Sequence, residues 1–307
     1  MYKIKDIKNT ILEGNALSEL RKIPSKSVNM IFTSPPYWRL RNYNTSPQNW
    51  EDGWTGELGQ EPTFNLFIEH LLSIFDEAKR VLTDDGTCWI NIGDSYAVKS
   101  AQKQSQAKDN NVKEKSLYAI PDRFKIAMID SGWICRNQLI WYKRNAMPES
   151  VKDRFTVDYE PIYLFSKKKK YYFDQQKEPC VNGDPTSPRG SRGTKPNSGR
   201  RNKNKQDEVG KANYTGFNAR YVPRKKRNIR SVWDIPVQPF RGAHFATFPP
   251  KLLEIPIISG CPENGIVLDI FFGSGTTGLI AKKINRNYIG IELNKEYIKI
   301  AEKRLNE

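Results

Sequence analysis

Between Phe32 and Leu40 the chain reads FTSPPYWRL, directly after the apolar run SVNMIF. An ordinary turn after a buried strand uses Gly, Asn or Asp. Here Pro35 and Pro36 fix φ twice and remove two N–H donors, so the neighbouring carbonyls are rigid and short of local partners. Ser34 adds one small hydroxyl, and Tyr37 and Trp38 add two ring faces. A stiff, acceptor-rich, aromatic corner of this kind suits a flat group that carries an amine. Trp38 fits either the wall of such a pocket or the core behind it.

A second segment with chemical content is GIVLDIFFGSGTTGLIAKKINRNYIGIELNKEY, beginning at Gly265. It reads as a buried strand from Ile266 to Ile270, a glycine turn, a helix starting near Thr276 and a second strand ending at Glu292. Gly273, Gly275 and Gly278 satisfy G-x-G-x-x-G, which brings a dinucleotide site into consideration. Glycines there let backbone approach a ligand, and an acid at the second strand's end can hold ribose hydroxyls. Any adenosine-bearing cofactor suits that geometry. Asp269, just before the turn, would repel a pyrophosphate and attract an ammonium group. Only fifteen residues follow Glu292, so the rest of the sheet must come from the N-terminal half.

The elements that position these segments follow an αβ rhythm. TFNLFIEHLLSIFDEAKRVL predicts an amphipathic helix, with Gly86 after Thr83-Asp84-Asp85 as its stop, and GTCWINIGDSY predicts a strand and its loop. Residues 99–116 are polar and aperiodic and predict a mobile loop, whose Lys and Gln content suits contact with phosphates. From 117 to 173 come a helix, PDRFKIAMIDSG, and two strands, NQLIWYK and EPIYLFSK. Residues 174–230 change character: from 177 to 230 there are 15 Lys and Arg against 4 Asp and Glu, which supplies +11 of the chain's net +16. A disordered basic linker would have such a composition. Its place between two αβ segments favours an inserted module that contacts nucleic acid, and the charge balance points to a polyanionic partner.

The remaining composition excludes several classes. With 307 residues and 37% apolar content, the chain can bury one large core. Cys88, Cys135, Cys180 and Cys261 lack C-x-x-C spacing, so a disulfide framework and a zinc site are both disfavoured, and no metal is expected. No apolar run reaches the roughly 18 residues of a membrane span, and the start lacks a signal peptide's apolar stretch; a cytoplasmic protein with no membrane partner is the expectation.

TSPPYW and DIFFGSGTT together resemble the amino-DNA methyltransferases of the permuted β order, in which the catalytic motif precedes the target-recognition region and the S-adenosylmethionine motif comes last. LEGNALSEL, LGQEPTFNLFIEHL, GTCWINIGDSY, NAMPESVKDRF, YYFD and AHFATFPPKLLEIPI resemble family segments in the same order, so the likeness spans nearly the whole chain. It implies an α/β fold: a Rossmann-like S-adenosylmethionine-dependent methyltransferase sheet with helices on both faces. It also implies a catalytic half at 1–173, an inserted target-recognition region at 174–230 and a cofactor-binding half at 231–307. Catalysis falls to Ser34, Pro35, Pro36 and Tyr37. Asp269, Phe271, Gly273, Ser274, Gly275 and Thr276 match the loop beside the methionine part of S-adenosyl-L-methionine, and Glu292 matches the acid on the ribose. Asn15 stands where the family usually has an acid near the adenine ring. His244, Phe245, Thr247, Phe248 and Pro249 match the opposite wall, although His244 also suits a structural role, and Phe245 and Phe248 suit the core. Arg200, Arg201, Arg224, Lys225, Lys226 and Arg227 are the expected contacts to double-stranded DNA.

In the family Ser at the position of Ser34 usually accompanies the N4 amine of cytosine, whereas Asp or Asn accompanies the N6 amine of adenine. The resemblance therefore favours cytosine, with adenine as the alternative. It leaves open a cognate restriction endonuclease as a partner, and a monomer or a homodimer, in a prokaryotic or phage setting. Two readings from other classes compete. A nicotinamide-dependent oxidoreductase rests on the glycine pattern alone, and a DNA-binding protein on an inactive methyltransferase fold conflicts with the intact SPPY and FGSG.

Overall fold

The computed structural model describes residues 1–43, 45–97, 112–180, 225–238 and 249–307. They form two units: Met1–Asp174 with Ser231–Glu307, and Gln175–Arg230. The first contains a sheet of eight strands, in spatial order β1 (Thr10–Glu13), β12 (Asn287–Glu292), β11 (Ile266–Asp269), β2 (Val28–Thr33), β5 (Leu82–Asn91), β7 (Tyr159–Ser166), β6 (Ile134–Tyr142) and β10 (Val232–Asp234). Neighbours run parallel except β7, which is antiparallel to both β5 and β6. The central strands β11 and β2 read as nearly unbroken apolar runs because helices cover both faces of the sheet.

On one face, α2 (Ala16–Lys22), α3 (Phe64–Val81) and α4 (Ile120–Asp130) pack against Ile31, Ile90, Leu268 and Ile289. α3 starts where the Thr63 hydroxyl accepts from Leu66 N, and it buries Phe67, Leu71, Ile74, Phe75 and Ala78 at helical spacing. On the other face, α5 (Pro250–Gly260) ends against Met30 and Trp89, while α6 (Thr276–Lys283) and α7 (Lys295–Asn306) follow β11 and β12. A four-residue helix, α1 (Ile4–Ile7), precedes β1. The short ribbon β3 (Gln48–Asn49) and β4 (Thr55–Gly56) lies in the long connection between β2 and α3.

One expected boundary differs. α3 ends at Val81 and β5 begins at once, so Gly86 does not stop the helix; it lies within the strand. A Cβ there would sit 2.5 Å from Leu82 Cγ and 2.9 Å from the Asn29 carbonyl, so glycine at this position serves close strand packing. Trp38 belongs to the core: it is 1% exposed, meets Tyr118 edge-on at 4.8 Å, and donates from Nε1 to the Glu61 carbonyl. All four cysteines are free thiols. Among the described residues no helix is long and apolar enough to cross a membrane. Of the polar stretch 99–116, residues 99–111 lie outside the described residues.

In the second unit, β8 (Lys177–Pro179) and β9 (Lys226–Asn228) form an antiparallel ribbon. Arg227 Nε contacts Glu178 Oε1 across it at 2.7 Å, whereas Lys225 and Lys226 are exposed. Arg200, Arg201 and Arg224 lie outside the described residues.

Phe272 shows how tightly the glycine segment is packed. Its ring stacks on Tyr288 with centroids 5.7 Å apart, and an added Cβ would come within 2.4 Å of it at Gly290 and 2.7 Å at Gly278. Gly290→Ala should therefore lower the free energy of unfolding by about 1–3 kcal/mol through overpacking. Gly273→Ala, with a φ of +52° and nothing within 4 Å of the added carbon, should cost only the backbone strain, about 1 kcal/mol. Urea unfolding of the two variants checks the ranking, and a Gly290→Ala protein as stable as the parent would contradict it.

Candidate active site

Parallel strands send their carboxyl ends to one edge of the sheet, where open α/β sheets form ligand crevices. β1, β2, β5, β11 and β12 end there, and their following loops surround a cavity of about 340 Å³. The catalytic and cofactor segments expected from the sequence meet in it. Ser34, Pro35, Pro36 and Tyr37 line one part, and Asn15, Asp269, Phe271, Gly273, Ser274, Thr276 and Glu292 line another. Gly275 is not among the lining residues. It turns the chain at φ +80° as the N-cap of α6, and a Cβ there would be 2.9 Å from Ala301 Cβ. His244, Phe245, Thr247 and Phe248 lie outside the described residues.

Asp269 is 2% exposed and holds the ends of β11 and β2 together. Its Oδ1 accepts from Thr33 Oγ1 at 2.7 Å and its Oδ2 from Thr277 Oγ1 at 2.6 Å. The backbone N–H of Phe271 points at both Thr33 Oγ1 and Asp269 Oδ1, each at 3.2 Å. Burial pushes the Asp269 carboxyl up to about 7, and the hydrogen bonds from the two threonines oppose that rise only in part.

Glu292 closes the glycine turn from the neighbouring strand. One oxygen accepts from Gly273 N at 2.7 Å and the other from Asn294 N at 2.8 Å, and burial raises its carboxyl above the usual range. Across the turn, Arg304 of α7 donates to the Ser274 carbonyl at 2.6 Å, the Ser274 hydroxyl at 2.7 Å and Thr276 Oγ1 at 3.1 Å. Asn15 caps α2 by accepting from Ser18 N at 3.2 Å, which fixes its position at the cavity wall.

The aromatic corner is held as firmly. The Tyr37 ring lies over Gly93, where a Cβ would be 2.4 Å from Cε2. Its hydroxyl is 2.9 Å from Glu160 Oε2 and 3.1 Å from Asn91 Oδ1. Burial, reinforced by the Glu160 charge, raises the phenol well above its ordinary range. The connection over residues 39–61 supplies the outer wall with Tyr43, Gln48, Trp50 and Glu57. Glu57 accepts from Tyr43 N at 2.7 Å and Thr45 N at 3.2 Å. Buried Glu61 accepts from Gly59 N at 2.8 Å and hydrogen-bonds His70 Nδ1 at 2.9 Å, while Trp50 stacks on His70 at 3.8 Å.

Sequence reasoning missed Thr33, Thr277, Arg304, Asn91, Lys143 and Glu160. Thr33 and Thr277 flank motifs already noticed and were within reach. Asn91 lies in a strand segment already noticed and Arg304 follows closely on the C-terminal segment, whereas Lys143 and Glu160 are ordinary polar residues remote from both motifs.

The Asp269 environment has a consequence for stability. Between the ordinary carboxyl value near 4 and the folded value of about 7, the native state binds a proton that the unfolded chain has lost. Stability relative to Asp269→Asn should therefore fall as pH rises through that window, by on the order of a few kcal/mol. Urea unfolding of both proteins from pH 4.5 to 8 tests this, and a constant difference would show that Asp269 ionises normally.

Comparison with known proteins agrees with this geometry. The N6/N4 DNA methylase model matches residues 28–303. The Type II methyltransferase M.XycI of Xanthomonas campestris pv. cyanopsidis is 40% identical over 97% of this chain and 87% of its own. Among solved structures, PvuII DNA methyltransferase (cytosine-N4-specific) superposes with a TM-score of 0.63 at 20% identity, covering 97% of this chain and 86% of that one. The Thermus thermophilus putative DNA modification methylase TTHA0409, complexed with S-adenosyl-L-methionine, gives 0.58 at 21% identity over 96% and 92% of the two chains. A match along nearly the whole chain, together with a cavity that gathers both motifs, shows that this protein belongs to the N6/N4 amino-DNA methyltransferase family.

Proposed function

We propose that the protein transfers a methyl group from S-adenosyl-L-methionine to the exocyclic N4 amine of cytosine in duplex DNA, with the target base turned out of the helix. The observation that carries this reading is the opening of Ser34–Tyr37 and the Asp269–Glu292 loops onto one cavity. The residues present fit the cofactor. Each Glu292 oxygen takes one backbone N–H, which leaves lone pairs for a ribose diol. At Gly273 a Cβ would meet nothing within 4 Å, so the backbone is open to a ligand. Both Asp269 oxygens are engaged by threonines, so this carboxylate acts on a bound cation through its field rather than as a direct ligand.

When bound, S-adenosyl-L-methionine supplies an electrophilic methyl carbon whose bond to sulfur breaks with its electron pair left on sulfur. The amine nitrogen contributes the pair for the new bond and then loses a proton to water. Its lone pair is delocalised into the base, so it is a weak nucleophile. Ser34 Oγ and the carbonyl beside Pro35 accept hydrogen bonds from the amine, draw it toward sp³ geometry and stabilise the positive charge that develops. The Tyr37 ring replaces the stacking lost on flipping, worth about 1–3 kcal/mol. The serine at position 34 supports cytosine over adenine.

The basic unit spanning Gln175–Arg230 is assigned to target recognition. Arg200, Arg201, Arg224, Lys225, Lys226 and Arg227 would contact phosphates, with Arg227 sharing its charge with Glu178. The designation of M.XycI as a Type II methyltransferase supports work beside a cognate restriction endonuclease. Modified-base sequencing of DNA from expressing cells, with mass spectrometry of its nucleosides, tests the reading. The expected product is 4-methylcytosine at one recognition site. A 6-methyladenine product would keep the mechanism and overturn the base, and unmodified DNA would overturn the activity.

These roles can be probed by substitution. Ser34→Ala should lower kcat by about 10²-fold while DNA affinity stays near that of the parent, because its hydrogen bond strengthens only as charge develops. Tyr37→Ala should also lose most activity; parent-like turnover in both variants would remove the mechanism. In the second unit, replacing Lys225 and Lys226 with Ala should reduce the slope of log affinity against log salt by about 2. An unchanged slope in a binding titration would place that pair away from DNA.

A further inference from the structure

Besides a side-chain contact with Ser34, the Tyr37 hydroxyl is anchored by residues that the reaction above does not use. Its single phenolic proton faces two acceptors, Glu160 Oε2 at 2.9 Å and Asn91 Oδ1 at 3.1 Å. The second Glu160 oxygen is paired with Lys143 Nζ, and both side chains are about four-fifths buried, at 19% and 18% exposure. Lys143 is fixed in turn, with its ammonium 4.4 Å above the Trp141 ring. Asn91 is fixed through Nδ2, which donates to the Pro161 carbonyl at 3.1 Å. Three strands deliver these groups: Asn91 ends β5, Glu160 is the second residue of β7 and Lys143 follows β6, with Trp141 paired opposite Glu160. All of them line the cavity that holds Ser34.

A largely buried ion pair is weak support for stability, because desolvation offsets most of its attraction. Its place here is more informative. A tyrosine ring hinged only at its Cβ can swing, and a stacking platform that swings does not present the base amine in line with the methyl carbon. We propose that Glu160, held by Lys143, is a positioning residue that locks the Tyr37 ring through its hydroxyl at the angle required by the incoming base. This rests on the methyl-transfer reading above. The phenol is then part of the device, and Tyr37→Phe, although it keeps the ring, releases Glu160 beside an apolar edge.

The test uses the full-length enzyme, labelled S-adenosyl-L-methionine and a duplex carrying the site found by modified-base sequencing. Glu160→Ala and Tyr37→Phe should each lower kcat by about 10- to 100-fold, the scale of a misplaced reacting group, with KM for the cofactor unchanged. The double variant should be no slower than the slower single variant, because both changes cut the same link. Lys143→Arg should retain turnover and Lys143→Met should lose it. Glu160→Gln keeps an acceptor oxygen for the phenol at nearly unchanged volume, so it should retain more turnover than Glu160→Ala and serves if the alanine variant fails to fold. Multiplicative losses in the double variant, or parent-like kcat in Tyr37→Phe, would overturn the proposal. A parent enzyme that methylates no DNA would instead overturn the functional reading, so the two failures are distinct.

Discussion

The buried carboxylate of Asp269 ties the ends of the neighbouring strands β11 and β2, and the geometry of the cavity depends on that tie. β2 delivers the Ser34 corner and β11 delivers the glycine turn, and the strands are neighbours in the sheet. Hydrogen bonds from Thr33 and Thr277, with the Phe271 N–H between them, bind the two loop origins into one rigid junction. Burial raises the carboxyl to about 7, so the junction holds a group that water would ionise far more readily. The in-line transfer proposed above tolerates little error between donor and acceptor. A fixed junction at the point where both loops begin is the shortest way to limit that error.

The glycine turn is shaped by packing as much as by any ligand. Gly273 needs a positive φ and leaves its backbone open, whereas Gly275 makes room for Ala301. Gly278 and Gly290 make room for the ring of Phe272, which plugs the space between α6 and β12. The G-x-G-x-x-G pattern is thus accounted for without a pyrophosphate. Glu292 and Arg304 then both brace the turn, one through the Gly273 N–H and one through a carbonyl and two hydroxyls.

The wall formed by residues 39–61 shows how a long connection can be held with only a two-residue ribbon of regular structure. Glu61 and Glu57 act as internal acceptors for backbone N–H groups that no ladder serves, and His70 joins that network from α3. Trp38 and Trp50 supply the apolar mass, the first packed into the core and the second stacked on His70. The cavity is therefore walled on one side by strand ends and on the other by a loop fixed through the carboxylates of Glu57 and buried Glu61.

Much of this was legible in the sequence. The apolar runs, the helical spacing of Phe67, Leu71, Ile74, Phe75 and Ala78, and the turn after Asp269 are local patterns with a period of their own, and they determined the αβ elements and the two motifs. The boundary at Gly86 was misread because a glycine after two aspartates resembles a helix stop, whereas its cause is the close approach of Asn29 from the adjacent strand. Only the tertiary structure decided that Tyr37 shares Glu160 with Lys143, that Arg304 serves the glycine turn, and that Trp38 is core. Glu160, Lys143 and Arg304 look like solvated charges in the chain because nothing near them in sequence is their partner. Their roles arise from strand order and helix packing, which bring together segments far apart in the chain, in the case of Tyr37 and Glu160 by 123 positions. Local sequence reports which elements form; which charges meet inside them is set by long-range register, and no periodicity encodes that.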